Sequence, residues 1–586
     1  MRREEIQKEM NRRAERFLPQ THLVADYYRV RRKVAYPLPV RAITLPDLPV
    51  SGAKGYPWAT WMTWDLEERI GAMGWEGEWS GNEEMREAVR TDLVALASWP
   101  GWRQYEQPDL SLGHSGRTLW AAYTQWDWLG DTVQVAVRDG LERMLEDGLP
   151  YSEEKHGSFS RKDDILSQAT PHTILHNIPI IGTFALAMAA DVLKHDSSEL
   201  LNARLLMLME ALLDLREAGF TEGVAYDGYV MDFAVAWMTL LPEGDRARLL
   251  NHPRFADYLT ESIWTAAPGN IAQVAELSDV EPVEMPFHIS AQGKLQHLAP
   301  DPTRNWYLSN APIGRLRADG LAAIHSLPED GQSVAPVAGS IDANYALVLR
   351  TGWDNDDTAV AASMSNSPMG HLQRDTGTIV IGRGGRWILG DPGYQQYMQR
   401  RERDFTLGTS AHNCPIIDGQ AVAEKPRERR FELFRSEGDV RRMGIDLTTC
   451  YAPELNLERV TRQVVLVGKE LVLVGDEVVG GSVTSIRYHW TGDAGAAWWA
   501  ADGVATLYTP EVTLQVTSPS AGIDFGAIDR LPGSRGHLTL SAESTVSAPV
   551  HWWVFAVGAD MPEIEAVNDG RVIRVGKETY GLEAFS

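Results

Sequence analysis

Val460-Thr461-Arg462-Gln463-Val464-Val465-Leu466-Val467, closing on Gly468, and then Leu471-Val472-Leu473-Val474-Gly475-Asp476-Glu477-Val478-Val479-Gly480-Gly481 form the run on which the fold turns. β-Branched residues dominate it and glycine punctuates it, which is the pattern of short strands rather than of helix. The first segment reads as one strand and the second as strand, turn, strand. Thr506-Leu507-Tyr508, Val512-Thr513-Leu514-Gln515-Val516 and Val550-His551-Trp552-Trp553-Val554 repeat the pattern. Such runs, bounded by Gly, Asp and Pro, predict an antiparallel β-sandwich over 335–586.

Toward the N-terminus the periodicity changes. Glu84-Met85-Arg86-Glu87-Ala88-Val89-Arg90-Thr91-Asp92-Leu93-Val94-Ala95-Leu96-Ala97 places apolar residues at intervals of three and four, as an amphipathic helix requires. Similar runs cover 115–129, 131–147, 180–195, 201–218 and 228–241. Helices joined by short breaks pack as antiparallel hairpins, giving a bundle, a solenoid or a toroid over residues 1–320. Helices first and strands afterwards imply separate domains of a multidomain α+β chain. Pro286, Pro300, Pro302, Pro312, Pro328 and Pro336 mark 280–340 as the expected connection.

The 586-residue length calls for more than one core. No stretch of about twenty apolar residues is present, so no membrane span is expected. Met1-Arg2-Arg3-Glu4-Glu5-Ile6 lacks the apolar segment of a signal peptide, and the expected location is cytoplasmic. Cys414 and Cys450, the only cysteines, exclude a disulfide framework and fit a reducing compartment. A formal charge of −25 argues against nucleic acid as a partner. It does not exclude an acidic ligand, because salt confines surface fields to about 10 Å.

Trp58, Trp61, Trp64, Trp75, Trp79, Trp99, Trp102, Trp120, Trp126 and Trp128 crowd the first third of the chain. Most such rings serve packing. Trp75-Glu76-Gly77-Glu78-Trp79 reads as a loop, and its two rings are the candidates for stacking on sugar faces.

Three further segments carry chemistry together. Met369-Gly370-His371-Leu372-Gln373-Arg374-Asp375-Thr376-Gly377-Thr378 precedes a strand and then Gly390-Asp391-Pro392-Gly393-Tyr394. Thr409-Ser410-Ala411-His412-Asn413-Cys414 follows, and Thr221-Glu222-Gly223-Val224-Ala225-Tyr226-Asp227-Gly228-Tyr229 lies upstream. In joint order and spacing they resemble the heparinase II/III-like polysaccharide lyases. In that family a Gly-His-x-His-x-Asp stretch, a strand, Asp-Pro-Gly and Ala-His-Asn open the sandwich, and a Glu-Gly/Ser-x-x-Tyr stretch supplies a tyrosine. The resemblance implies an N-terminal (α/α) toroid, an incomplete helical barrel, followed by an antiparallel β-sandwich. It also implies β-elimination on an acidic poly- or oligosaccharide.

By the same resemblance Tyr226 is the general acid, and a base for one sugar epimer, while His371 is the base or its electrostatic helper. Such roles suit a phenol protonated at neutral pH and an imidazole that titrates there. His176 and Asn177 are the candidates for neutralising the sugar carboxylate, although relatives with both residues often place Asn first. Trp75, Trp79, Glu222, Tyr229 and Arg374 are the candidate substrate contacts. Many relatives hold a structural zinc on His, Asp and His. Here Asp391 and His412 remain, but the third ligand position is Gln373, a poor zinc ligand. A structural zinc and a metal-free Asp391–His412 pair bracing the His371 loop are therefore both open, and the chemistry itself requires no cofactor. Arg383, Arg386, Arg400, Arg401 and Arg403 cluster near the motifs and suit carboxylate or sulfate. A glycoside hydrolase on a toroid, a uronyl C5-epimerase and an inert glycan-binding protein are the competing readings. The oligomeric state is open, a homodimer being one outcome.

Overall fold

The computed structural model describes residues 2–19, 58–98, 108–217, 219–280, 286–329, 331–364, 371–393, 406–423, 428–520, 523–530, 538–545, 549–568 and 570–585. Trp99, Trp102, Met369, Gly370, Tyr394, Arg400, Arg401 and Arg403 lie outside them. The chain divides into two compact units. One comprises Met1–Leu215, Asp227–Phe255 and Pro286–Ser333; the other comprises Arg216–Tyr226, Ala256–Met285 and Val334–Ser586. Two segments within 1–320 thus belong to the sheet-bearing unit.

The first unit is helical. Trp58–Ser80 packs against Arg2–Phe17, Glu83–Ala97 and Pro108–Gln125, and Pro108–Gln125 packs against Asn177–Leu193. Ala318–His325, late in the chain, returns to Trp58–Ser80 and Arg2–Phe17, so the helices close in a ring. Local chemistry sets the ends. Asn82 Oδ1 accepts from the backbone N–H groups of Glu84 and Met85, capping Glu83–Ala97.

Helix also replaces two sequence expectations here. The proline-rich stretch is not merely a connection, because it carries the helices Phe287–Leu298, Pro302–Asn310 and Ala318–His325. Pro302 occupies the first turn, where its missing N–H costs nothing, behind an Asp301 cap. The Trp75–Trp79 segment is not a loop, since it ends the helix Trp58–Ser80. Gly77 sits there because a neighbouring helix comes close: an added Cβ would meet Arg86 Cγ at 3.0 Å, and Arg86 Nε donates to the Gly77 carbonyl at 2.9 Å.

Antiparallel sheets build the second unit. The largest runs Ala497–Ala501, Val504–Tyr508, Thr513–Thr517, Val550–Val557, Leu471–Gly480, Leu457–Val467, Val440–Asp446 and Phe431–Glu437 in spatial order. A five-stranded sheet, Ser340–Asp342 through Arg386–Leu389, follows chain order. Val464, Val474, Trp490, Trp553 and Phe555 share one buried core with Leu349, Val360 and Ile381 of that smaller sheet. Leu471–Gly480 is a single strand, not strand, turn, strand. Gly475 leaves room for the Trp552 ring of the adjacent strand, and Asp476 faces Arg462 across the pair. That buried carboxylate takes both Arg462 Nε at 2.7 Å and Nη2 at 2.8 Å, so a residue typical of turns is held mid-strand.

Candidate active site

Thr221, Glu222 and Gly223 lead into the helix Gly223–Met238. Gly223 has φ +80°, a conformation that side chains resist, and an added Cβ would also meet Val280 Cγ2 at 2.7 Å. Its N–H donates to Thr221 Oγ1 at 3.0 Å. Glu222 and Tyr226, four residues apart, then fall on one face of the first turn. Both meet His371. The Tyr226 ring stacks on the imidazole with centroids 4.0 Å apart and planes at 19°. Glu222 Oε2 lies 3.0 Å from His371 Nδ1 and is almost fully buried. All three residues belong to the second unit.

The loop bearing His371 is braced from several directions. Asp279 N–H donates to the His371 carbonyl at 3.1 Å. Gln373 Nε2 donates to Asp279 Oδ1 at 2.7 Å and to the Gly393 carbonyl at 3.3 Å. Asp375 Oδ2 accepts from Ser278 N–H, Ser278 Oγ and Ser363 Oγ within 3.0 Å. Beneath them Arg462 Nη1 donates to the carbonyls of Gly377 and Asn413. A base held in this way loses little conformational entropy on meeting a substrate.

Asp391 and His412 are buried, with His412 Nδ1 2.8 Å from Asp391 Oδ2. The other Asp391 oxygen accepts from Gly393 N–H at 3.0 Å. Burial raises the Asp391 carboxyl, while the same carboxylate outweighs burial on His412 and raises its imidazole. Gln373 turns its amide nitrogen, not an acceptor, toward Asp279 and Gly393. Asp391 spends its oxygens on His412 and Gly393, whereas His412 Nε2 and Gln373 Oε1 are buried without a partner among the described residues. An amide oxygen in place of an imidazole makes a weaker zinc ligand set. Among the described residues the only His, Cys, Asp or Glu cluster of ligand-like geometry is Asp354, Asp356 and Asp357. Lys469 pairs with two of the three, Asp356 at 2.8 Å and Asp357 at 2.9 Å.

The remaining candidates fall in varied places. His176 caps the helix Asn177–Leu193, its Nδ1 accepting from Ile178 N–H at 3.3 Å, and Asn177 is the buried first helical residue. Arg374 is exposed, and its carbonyl accepts from Cys414 Sγ. Trp79 stacks on His325 at 4.1 Å, with Trp75 beside it at 6.0 Å. Tyr229 is 1% exposed, and its hydroxyl meets His114 Nε2 at 2.5 Å and Trp64 Nε1 at 3.1 Å, which makes it part of the helical core. Arg383 donates to the Lys469 and Val557 carbonyls, and Arg386 pairs with Asp493, so both serve the sheets. Ser278, Asp279 and Arg462 were not anticipated. Asp279 and Ser278 meet their partners across 94 and 97 residues of chain, and no local pattern announces such pairs.

Residues 342–577 match the family model described as Heparinase II/III-like, C-terminal. In fold the whole chain is similar to a heparan sulfate lyase HepC mutant from Pedobacter heparinus, with 12% identity and a TM-score of 0.60 over 98% of this chain and 88% of that one. It is likewise similar to HepC itself from the same organism, at 13% identity and TM-score 0.58, covering 96% and 88% of the two chains. Heparinase III gives 14% identity and TM-score 0.59 over 88% and 82%. The fold is accordingly an N-terminal helical toroid followed by antiparallel sheets. No curated protein matches the chain by sequence.

Proposed function

We propose that the chain is a polysaccharide lyase that cleaves a uronate-containing glycan by β-elimination. The stacking of Tyr226 on His371, with Glu222 beside the imidazole, is the observation that carries this reading. Glu222 Oε2, 3.0 Å from Nδ1, holds that edge of the ring, and Nε2 is the nitrogen left to act as a base. Nε2 takes the C5 proton of the uronate. The C5 electron pair forms the C4–C5 double bond, the C4–O4 bond breaks, and the Tyr226 phenol delivers its proton to the departing O4. Each transfer requires the group within hydrogen-bond reach of its atom.

The sugar carboxylate must be neutralised as charge builds on it, and a single donor at such a position is worth on the order of 10²–10³ in rate. On the family resemblance that role goes to His176 or Asn177. The HepC and heparinase III likenesses support a glycosaminoglycan as the substrate class. Digestion of a panel of uronate polymers and oligomers, followed by near-ultraviolet absorbance, tests the reaction. Unsaturated uronyl ends appear if it is correct. New reducing ends without absorbance mean hydrolysis, and solvent deuterium at C5 in an intact chain means epimerisation.

A further inference from the structure

Ser278-Asp279-Val280 is a turn outside every motif read from the sequence, yet it touches both sides of the candidate site. Val280 N–H donates to the Ser278 carbonyl at 2.8 Å, which closes a three-residue turn around Asp279. Ser278 holds φ +56°, a left-handed conformation that a residue with a Cβ seldom adopts. All three residues are buried. The loop bearing His371 fixes the strained residue and its neighbour. Ser278 N–H and Oγ both donate to Asp375 Oδ2, at 2.7 and 2.8 Å. Asp279 N–H donates to the His371 carbonyl at 3.1 Å. Strained backbone held by several partners in this way collects at functional sites.

The third residue of the turn faces the other catalytic element. Val280 Cγ2 lies so close to Gly223 that a Cβ on the glycine would come within 2.7 Å of it. Gly223 is the first residue of the helix Gly223–Met238, directly after Glu222 and one turn before Tyr226. The Val280 carbonyl packs as tightly on Gly393, where an added Cβ would also meet it at 2.7 Å. In a close-packed interior a methyl in such contact cannot be withdrawn without its neighbour following. The turn therefore spaces the two elements. The N–H of Asp279 fixes the loop that carries the imidazole, and the side chain of Val280 seats the helix that carries the phenol. The turn, the loop and the helix start all lie in one unit.

We propose that Val280 is a positioning residue: through Gly223 it sets the register in which Glu222 and Tyr226 meet His371. The effect on rate rests on the lyase reading, whereas the effect on the stacked rings does not.

Val280→Ala removes the seat, and Val280→Thr keeps the branched shape while burying a hydroxyl. Both should lower the unfolding midpoint, one by leaving a cavity and the other by desolvating a polar group. Only Val280→Ala should lower kcat, by about tenfold at nearly unchanged KM, with Val280→Thr within about twofold of the unaltered chain. A valine that served stability alone would affect kcat alike in the two variants. NMR of the full chain with isotope-labelled histidine reads the rings without turnover. Stacking on Tyr226 shields the His371 ring protons. Val280→Ala should move those signals toward their positions in Tyr226→Leu, and Val280→Thr should leave them in place. Equal kcat in the two variants, or His371 signals that Val280→Ala does not move, overturns the proposal. If the unaltered chain turns over no glycan but the signals move as expected, the lyase reading fails and the register stands.

Discussion

Glu222 Oε2 stands 3.0 Å from His371 Nδ1, and Tyr226, one helical turn later, stacks on the same imidazole. One turn of helix therefore presents to a single histidine both a carboxylate that orients it and a phenol that complements it. The left-handed Gly223 makes this turn begin where it does.

Glu222→Gln keeps the shape and removes the charge. It should lower kcat at least tenfold with little change in KM, because an orienting carboxylate acts on the base and not on ground-state binding. Steady-state kinetics on an acidic oligosaccharide check this. A rise in KM at unchanged kcat would instead make Glu222 a substrate contact.

Gln373→Ala leaves the Asp279 carboxylate and the Gly393 carbonyl without their shared donor. The expected loss is about 1–3 kcal/mol of stability, read from denaturant midpoints. Because Gln373 stands where a zinc site would need an imidazole, dialysis against a chelator should leave the thermal midpoint unchanged and metal analysis should find no stoichiometric zinc. A midpoint that falls on chelation would contradict the metal-free arrangement.

Arg462 and Asp476 form a buried pair bonded through two atoms on each side. Arg462→Met strands the carboxylate and should cost about 3–5 kcal/mol, whereas Arg462→Met with Asp476→Leu should recover much of that loss. A double-mutant cycle in denaturant measures the coupling.

Burial holds His156 down to about 4, and burial likewise takes His114 to about 4 despite its Glu67 partner. In the unfolded chain both sit near 6.5. As pH falls from 6.5 toward 4, the unfolded state takes up protons that the folded state refuses. Stability present above pH 6.5 is therefore lost through that window, by about 3 kcal/mol per histidine. Urea midpoints measured against pH should show this decline, and His156→Gln should flatten it.

Helices were legible because burying one stripe imposes a period, as Glu83–Ala97 shows. The misread segments obey local rules outvoted by neighbours. Gly77 looks like a breaker but serves a close helix contact, and Gly475-Asp476 looks like a turn but fits Trp552 and Arg462. At the site, Glu222, Tyr226 and His371 were visible as motif residues. Their supports were not, because Ser278, Asp279 and Arg462 are ordinary in their own surroundings and gain meaning only from distant partners.

The pairing of the Tyr226 phenol with the His371 imidazole is tested most directly by turnover of Tyr226→Phe. The substitution keeps the stacked ring and removes only the transferable proton. Release of unsaturated uronyl product should fall by about 10²–10⁴, while substrate affinity and the unfolding midpoint stay near those of the unaltered chain. Turnover within a fewfold of the unaltered chain would show that the phenol moves no proton and would contradict the mechanism.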